Sequence, residues 1–390
     1  MRPAVIVAAA RTPFGRFGGA LRPLSAVELG ALAIREVTKR AALSGDEVDE
    51  VILGNAASAG LGQVPARQAA LRAGLSEKVR CIGVDKACVA AMVAMRWAWW
   101  LVAHEEAEVV IAGGMESMSN VPYILPQARW GYRLGHAPLV DALTAALTCP
   151  ISGKHMGIFA SEVALEHGID RKQQDLWALR SHMRYQEALQ AGKWKDEVFA
   201  VEVPDKKGTV IVTTDEQPRA DTSYEKLAAL PPAFEEQGTV TAGNAPGLND
   251  GAAMVVIMSA NKARERGLEP LARILAIGQA SAAPRLINVV PALAAEDALA
   301  RARLDKKNIV LWEINEAFAA TTLTAIKILG IDPEKVNVNG GSVAIGHPVG
   351  ATGARILMTL VYELRRRGGG LGLAAICGAG AQGEAMLVAT

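Results

Sequence analysis

Apolar residues along the chain alternate between unbroken runs and helix-spaced patterns. The run AVIVAAA at 4–10 is apolar at every position, which is typical of a strand buried on both faces. A capping pair, Ser25 and Glu28, opens the stretch 27–37, where apolar side chains recur at helical spacing. A second strand pattern, EVILGNA, follows at 50–56. Buried strands that alternate with helices predict an α/β fold with much of its sheet parallel.

The same order of elements occurs near both ends of the chain. Around Cys88 a strand, a loop and an apolar helix lead to the strand EVVIAGG at 108–114. Near the C-terminus, KVNVNGG at 335–341 leads through a Gly-rich loop and a helix to the strand GLAAIC at 372–377. The first half finds its matching last strand, GAAMVVIMSA, only at 251–260. We therefore predict a duplicated α/β core. A chance likeness between two ordinary α/β halves is the alternative.

The segment between the strands EVVIAGG and GAAMVVIMSA is predicted to be an insertion into the first half. It contains a long helical pattern that begins with Asp170 and Gln173 and ends at Gly192, together with polar and Pro-containing loops. The predicted domains are a first half at 1–118 plus 250–268, an inserted loop domain at 119–249 and a second half at 269–390.

Composition and charge narrow the class of protein. Of the 390 residues, 51% are hydrophobic and 21% charged, which is typical of a folded globule. Lys and Arg number 41 against 40 Asp and Glu, so nothing indicates a nucleic-acid or membrane partner. The most membrane-like window, 87–103, is interrupted by Arg96 and predicts a buried helix instead.

The four cysteines, at 81, 88, 149 and 377, lack metal-ligand spacing, so we expect no metal site. The chain opens without an export-signal pattern, and we expect a cytoplasmic protein with reduced thiols.

Three segments place reactive side chains where strands end or helices begin. Cys88 lies in DKACVAAM, His347 in the Gly-rich segment 337–357, and Cys377 in AAICGAGAQG. A helix N-terminus lowers the pKa of a cysteine, and a neighbouring imidazole can accept its proton. Each residue taken alone is more often structural. GAGAQG matches the GxGxxG motif of dinucleotide-binding folds, but a strand pattern follows it rather than a helix. We therefore exclude a dinucleotide-binding site.

Longer motifs resemble the thiolase family, which contains the acetyl-CoA acetyltransferases and 3-ketoacyl-CoA thiolases. The likeness spans nearly the whole chain and is carried by RTPFGRFGGAL, AGGMESMSNVPY, KHMG, TAGNAPGLNDGAAMVV, NEAFA, NVNGGSVAIGHPVGATGARIL and CGAG. Ketoacyl synthases, which share the duplicated fold, place a histidine where this chain has the Asn315 of NEAF. The resemblance implies two βαβαβ-type halves with mixed five-stranded sheets around the inserted loop domain.

The resemblance also implies an acyltransferase that makes or cleaves 3-ketoacyl-CoA reversibly in fatty acid metabolism. Cys88, deprotonated by His347, would become acylated, and Cys377 would be the acid and base toward carbon. His347 Nε2 and a water held by Asn315 would stabilise an enolate oxygen. The backbone N–H groups of Cys88 and Ala379 would hold the tetrahedral oxyanion.

Coenzyme A would be a substrate rather than a permanently bound cofactor, and most of its contacts would come from the insertion. The implied contacts are Leu147, His155, Met156, Arg219, Phe234, Ala242, Pro246 and Phe318. Ordinary loop packing is the alternative for each of these residues. Family resemblance further implies a homodimer or homotetramer, with residues 120–145 contacting a neighbouring subunit.

Several residues depart from the family pattern near the expected substrate. Asp85 replaces an asparagine and is expected to raise the Cys88 pKa unless Lys86 or the helix dipole compensates. The run 89–91, Val-Ala-Ala, replaces smaller residues and is expected to narrow the pocket. Pro246 replaces a serine, and Ala379 replaces a glycine that would tolerate positive φ. These departures predict an active enzyme with an altered acyl preference. A catalytically weak acyl-CoA-binding subunit and a thioester hydrolase are the alternatives.

Overall fold

A computed structural model of the chain describes residues 2–206 and 208–390. The strands are β1 (Ala4–Arg11), β2 (Gly15–Arg16), β3 (Glu50–Gly54), β4 (Arg80–Val84), β5 (Val109–Ser117), β6 (Tyr123–Ile124), β7 (Val140–Asp141), β8 (Val201–Asp205), β9 (Gly208–Val212), β10 (Asn249–Ser259), β11 (Ala272–Ser281), β12 (Leu311–Ile314), β13 (Leu371–Gly378) and β14 (Gln382–Ala389). The helices are α1 (Ala26–Arg40), α2 (Pro65–Arg72), α3 (Ala90–Ala103), α4 (Ala142–Ala146), α5 (Met156–Glu166), α6 (Arg171–Gln190), α7 (Tyr224–Ala228), α8 (Ala260–Glu265), α9 (Val290–Ala302), α10 (Ala319–Leu329), α11 (Ser342–Ile345) and α12 (Thr352–Arg366).

A ten-stranded mixed sheet runs through both halves and confirms the predicted α/β class. Its order is β12-β13-β14-β11-β1-β10-β5-β3-β4, with β2 paired to β10. In the first half, β3, β4 and β5 pair in parallel, whereas β10 is antiparallel to both β5 and β1. In the second half β12 and β13 are parallel and β14 is antiparallel to its two neighbours. The halves meet where Val5 and Ile6 pair with Arg273 and Ala272.

The two halves differ at one edge. The segment KVNVNGG, predicted as a strand, forms only an isolated parallel bridge between Val336 and Trp312. The first half therefore contributes five long strands and the second half four. The domain boundaries at 118, 249 and 268 stay a prediction.

Two buried helices form the centre of the molecule. α3 and α12 share one hydrophobic core with strands of both halves. α1 and α2 cover the opposite face in the first half, and α9 and α10 cover it in the second. The membrane-like window thus forms a helix that packs mostly in the protein core, as predicted, although Trp97 and Trp100 are exposed. No helix within the described residues is long and apolar enough to cross a membrane.

Close backbone contact brings the loops of the two halves together. A Cβ atom on Gly114 would lie 1.8 Å from the carbonyl oxygen of Gly350, so only glycine fits at this position of β5. Glu116, two residues further on, accepts the N–H of Gly350 at 3.0 Å. The Gly-rich loop of the second half is therefore fixed against the first half, directly ahead of α12.

Several helix boundaries follow from the predicted caps. Ser25 and Glu28 form the capping box of α1, and Asp170 and Gln173 form that of α6. α6 ends just before Gly192, which has a left-handed φ of 70°. These local signals were strong enough to set the helix ends in both the core and the insertion.

Candidate active site

A cavity of about 930 Å³ opens between the strand ends of both halves and the insertion. Four of the five predicted catalytic residues line it: Cys88, His347, Cys377 and Ala379. All eight predicted CoA contacts line it too: Leu147, His155, Met156, Arg219, Phe234, Ala242, Pro246 and Phe318. Asn315 is fully buried and is not among the lining residues. The structure thus brings residues from distant parts of the chain to one cavity.

Cys88 lies in the loop between β4 and α3, immediately before the helix N-terminus. Burial raises the pKa of its thiol to about 12, and the charge of Glu116 adds to this effect. The N–H groups of Cys88 and Ala379 act in the other direction by hydrogen bonding to sulfur. The thiol is therefore neutral at pH 7, and its attack on a carbonyl requires a base.

Ala379 keeps the backbone donor that the glycine of the family pattern would provide. The positive φ angles of this turn fall on Gly380 (75°) and Ala381 (52°), not on Ala379. An alanine is therefore accommodated here without backbone strain.

His347 lies in the Gly-rich loop before α12, with its ring and its backbone both held. Its N–H donates to Asn249 Oδ1 at 2.8 Å, and its ring Nδ1 lies 2.7 Å from Thr352 Oγ1. The Nε2 atom is buried without a hydrogen-bond partner among the described residues. Burial, together with the charge of Arg355, lowers the pKa of this histidine to about 3. The imidazole is thus neutral at pH 7, and one of its two ring nitrogens has a free lone pair.

Asn315 is held by a short hydrogen-bond chain. Arg355 Nη2 donates to Ser342 Oγ at 2.6 Å, and Ser342 Oγ donates to Asn315 Oδ1 at 2.6 Å. Because the amide oxygen is occupied, the orientation of the side chain is fixed. The Nδ2 atom is left buried and without a partner in the described structure. A donor in this state can hold a water molecule or a substrate oxygen.

Cys377 is the second-last residue of β13 and is buried close to the nucleophile candidate. Burial raises the pKa of its thiol, and the proximity of Cys88 raises it further. Cys377 is consequently a weak acid that holds its proton at neutral pH.

Glu116 is a buried carboxylate that sequence reasoning missed. It accepts the N–H groups of Ala56 at 3.0 Å, Ala57 at 3.2 Å and Gly350 at 3.0 Å. Burial raises its pKa to about 7 despite these donors, and the charge of Asp85 contributes to the rise. Its signal in the sequence was a single glutamate at the end of an otherwise apolar strand.

Asp85 is not among the groups that shift the pKa of Cys88. Asp85 Oδ1 accepts the N–H of Ala87 at 3.1 Å, and the anion that raises the Cys88 pKa is Glu116. Asp85 acts instead on Glu116.

The expectation that Val89, Ala90 and Ala91 narrow the pocket is wrong. All three are fully buried in the core around α3 and are not among the residues that line the cavity. Val89 precedes α3, Ala90 and Ala91 open it, and all three side chains are buried in the core that this helix shares with α12.

Aromatic rings form one wall of the cavity. The His155 ring stacks on Phe234 with 4.1 Å between centroids, and Phe234 meets Phe318 edge-on at 6.3 Å. His155 Nδ1 accepts the N–H of Gly157 at 3.1 Å, so the neutral ring presents Nε2–H as a donor. Burial lowers the pKa of His155, which favours this neutral form.

Two arginines line the cavity, one of them missed by the sequence reasoning. Arg219 was predicted, whereas Arg16 was not, although it lies within the RTPFGRFGGAL motif. No group of three or more His, Cys, Asp or Glu side chains in residues 2–206 and 208–390 could hold a metal ion. The cavity lining combines two thiols, two imidazoles and two guanidinium groups, from Cys88, Cys377, His155, His347, Arg16 and Arg219.

Known proteins resemble this chain over nearly its full length. Residues 4–261 match the model of the thiolase N-terminal domain, and residues 268–390 match that of the thiolase C-terminal domain. The acetyl-CoA acetyltransferases of Cupriavidus necator and Escherichia coli K12 are 45% and 46% identical, each over 100% of this chain and 99% of theirs. The crystal structure of the Bacillus anthracis acetyl-CoA acetyltransferase superposes with a TM-score of 0.98, at 43% identity, over 100% of this chain and 99% of that one.

The fold and site therefore define an acyltransferase. The chain belongs to the thiolase family. Thiolase activity is the function these likenesses support, and the alternative of a catalytically weak binding subunit is not supported.

Proposed function

We propose that the protein is an acetyl-CoA C-acetyltransferase that cleaves and forms acetoacetyl-CoA through an acyl group on Cys88. One observation carries the proposal. Two neutral thiols, Cys88 and Cys377, line one cavity together with Ala379 and His347, whose Nε2 has no hydrogen-bond partner among the described residues.

Thiolysis begins with attack of Cys88 on the 3-keto carbon. The Cys88 proton passes to His347 Nε2 as the sulfur–carbon bond forms. The N–H groups of Cys88 and Ala379 hold the resulting oxyanion, and each such donor contributes about 3 kcal/mol to transition-state stabilisation. Cleavage of the carbon–carbon bond then leaves the enolate of acetyl-CoA.

The enolate oxygen is stabilised by His347 Nε2–H and by a water held on Asn315 Nδ2. Cys377 gives its proton to the enolate carbon and becomes a thiolate. The thiol of free coenzyme A then returns a proton to Cys377 and attacks the acyl group. Cys88 leaves as a thiolate and recovers its proton from His347. All atoms and charges balance, and condensation is the same sequence in reverse.

Coenzyme A enters as a substrate along the side of the cavity formed by the insertion. Leu147, His155 and Met156 would contact the pantetheine chain, while Arg219 and Arg16 would face the phosphates. Ala242 and Pro246 would line the same passage. The two arginines suit this role because cations favour a phosphate-bearing ligand.

The aromatic wall supports a short acyl group. Phe234 and Phe318 are packed together beside His155 and would close the acyl end of the cavity. Since the run 89–91 lies elsewhere, Asp85, Pro246 and Ala379 are the departures that still line the cavity.

The test is thiolysis of acetoacetyl-CoA and 3-ketohexanoyl-CoA by the purified protein with free coenzyme A. We expect acetoacetyl-CoA to be cleaved with the higher kcat/KM, and Cys88→Ala to lower kcat by about 10⁴-fold or more. Equal kcat/KM values for both substrates would contradict the proposed preference for a short acyl group. Loss of acyl groups to water without coenzyme A would instead indicate a hydrolase.

We also propose a cytoplasmic homotetramer that acts in fatty acid metabolism. Cys88 and Cys377 must stay reduced for this chemistry, and both are free thiols. Residues 125–139 of the insertion are exposed almost throughout, including Trp130 (85%) and Leu134 (98%). Large apolar side chains with such exposure support a contact with neighbouring subunits.

A further inference from the structure

Thr352 is the one side chain that the structure places in hydrogen-bond contact with the ring of His347 among the described residues. Its Oγ1 lies 2.7 Å from His347 Nδ1 and 2.9 Å from the carbonyl oxygen of Pro348. Thr352 and His347 are both buried, so water has little access to compete for these contacts. The hydroxyl carries one proton, and the direction in which it points decides which ring nitrogen of His347 is protonated.

Two arrangements satisfy this geometry. In the first, Thr352 donates to Pro348 and accepts Nδ1–H, which leaves Nε2 as a free lone pair. In the second, Thr352 donates to Nδ1, which leaves Nε2–H as a buried donor without a partner. Buried N–H groups without acceptors are rarer in proteins than unsatisfied acceptors, so the first arrangement is favoured.

We propose that Thr352 is a positioning residue that holds the proton of His347 on Nδ1 and so presents the Nε2 lone pair to the thiol of Cys88. The inference rests on the proposed function, because only a proton acceptor at Nε2 needs this tautomer. It also connects two steps of that function. Nε2 can donate to the enolate oxygen because it has just received the Cys88 proton.

The position of Thr352 suits this task. It is the first residue of α12, whose N-terminal turn is fixed by the buried core. The backbone N–H of His347 is fixed by Asn249, the first residue of β10. The histidine is thus held at its ring by α12 and at its backbone by β10.

The first measurement is the ¹⁵N NMR spectrum of protein labelled at histidine, with His347→Gln to assign the signals. We expect His347 in the unmodified enzyme at pH 7 to show a protonated Nδ1 and an unprotonated Nε2. The reverse pattern would overturn the inference. This readout does not depend on turnover, so it stays informative even if acetoacetyl-CoA is not a substrate.

The second measurement compares Thr352→Val with Thr352→Ser in acetoacetyl-CoA thiolysis. Valine keeps the shape and removes the hydroxyl, so we expect kcat to fall about 100-fold, within the range for loss of a positioned base, with KM little changed. Serine keeps the hydroxyl and should restore kcat to within a few-fold. Thr324→Val is the matched control, since Thr324 also bonds the carbonyl four residues back but lies in α10, away from the cavity.

Each outcome separates the two claims. An inactive unmodified enzyme would contradict the proposed function, whatever the tautomer. An active enzyme in which Thr352→Val retains kcat would contradict the role of Thr352 alone. Equal losses in the valine and serine variants would likewise indicate a structural effect and overturn the inference.

Discussion

Burial keeps the reactive side chains of the cavity uncharged at neutral pH. It raises the pKa of Cys88 to about 12, raises that of Cys377 as well, and lowers the pKa of His347 to about 3. A preformed thiolate–imidazolium pair is therefore not the resting state. Proton transfer from Cys88 to His347 has to accompany bond formation to the substrate carbonyl.

Glu363 shows the opposite balance between burial and hydrogen bonding. Burial raises the pKa of this carboxylate, but hydrogen bonds from Asn339, Arg367, Arg366 and Lys193 outweigh it and lower the pKa to about 2. A carboxylate whose folded-state pKa is depressed stabilises the fold above its unfolded-state pKa. That stabilisation is lost as the pH falls toward the folded-state value.

We therefore predict that Glu363→Gln lowers the unfolding temperature at pH 7. The difference from the unmodified protein should narrow steadily as the pH falls below about 4.5 toward 2. Thermal unfolding followed by circular dichroism across this range measures both curves. Glu334→Gln is the control, because Glu334 pairs with Arg184 but is largely exposed. A difference that stays constant with pH would contradict the ionic role of Glu363.

The identity of the reactive residues could be predicted from the sequence, but the side chains that hydrogen-bond to them and fix their orientation could not. Cys88, His347 and Cys377 each occur in a motif long enough to be specific. Ser342 and Thr352 lie within one of these motifs and act through contacts that only the folded backbone creates. No local pattern reveals which hydroxyl will reach Asn315 or the ring of His347.

At the scale of elements, helix caps and apolar runs predicted where helices and strands lie. Departures from the family pattern predicted less well which side chains reach the cavity. The cap at Asp170 and the strand at 4–10 were set by local signals and are present. The strand expected at 335–341 is reduced to one bridge at Val336. The run 89–91 was assigned to the pocket because it follows Cys88, yet the helix that starts there buries it. The start of a helix decides which way such side chains face, and α3 has no side-chain cap that would have marked it.

The exposed part of the insertion provides a test of assembly. We predict that the unmodified protein is a tetramer of 41.0 kDa chains and that Trp130→Ser with Leu134→Ser yields a smaller assembly. The reason is that loss of two large exposed side chains removes the apolar contact. Light scattering after size-exclusion chromatography measures both masses.

Ile151→Ser is the matched control, because Ile151 is 81% exposed in the insertion but lies outside residues 120–145. An unchanged mass for the double variant would place the subunit contact elsewhere.

At the scale of the whole molecule, duplication brings the chemistry together. The loop with Cys88 precedes α3 in one half, and the loop with His347 precedes α12 in the other. α3 and α12 pack together in the shared core, so their N-terminal loops lie at one cavity. The halves are held in this relation by Gly114 against Gly350 and by Glu116. The site depends on this relation between the halves, because neither loop alone contains both a nucleophile and a base.

The most direct test of the account is the intact mass of the protein after mixing with acetyl-CoA. We predict one acetyl group per chain on the unmodified protein and on Cys377→Ala, and none on Cys88→Ala. Cys81→Ala controls for modification of a half-exposed thiol outside the cavity and should be acetylated normally. An acetyl group that persists on Cys88→Ala, or its absence from the unmodified protein, would contradict Cys88 as the nucleophile.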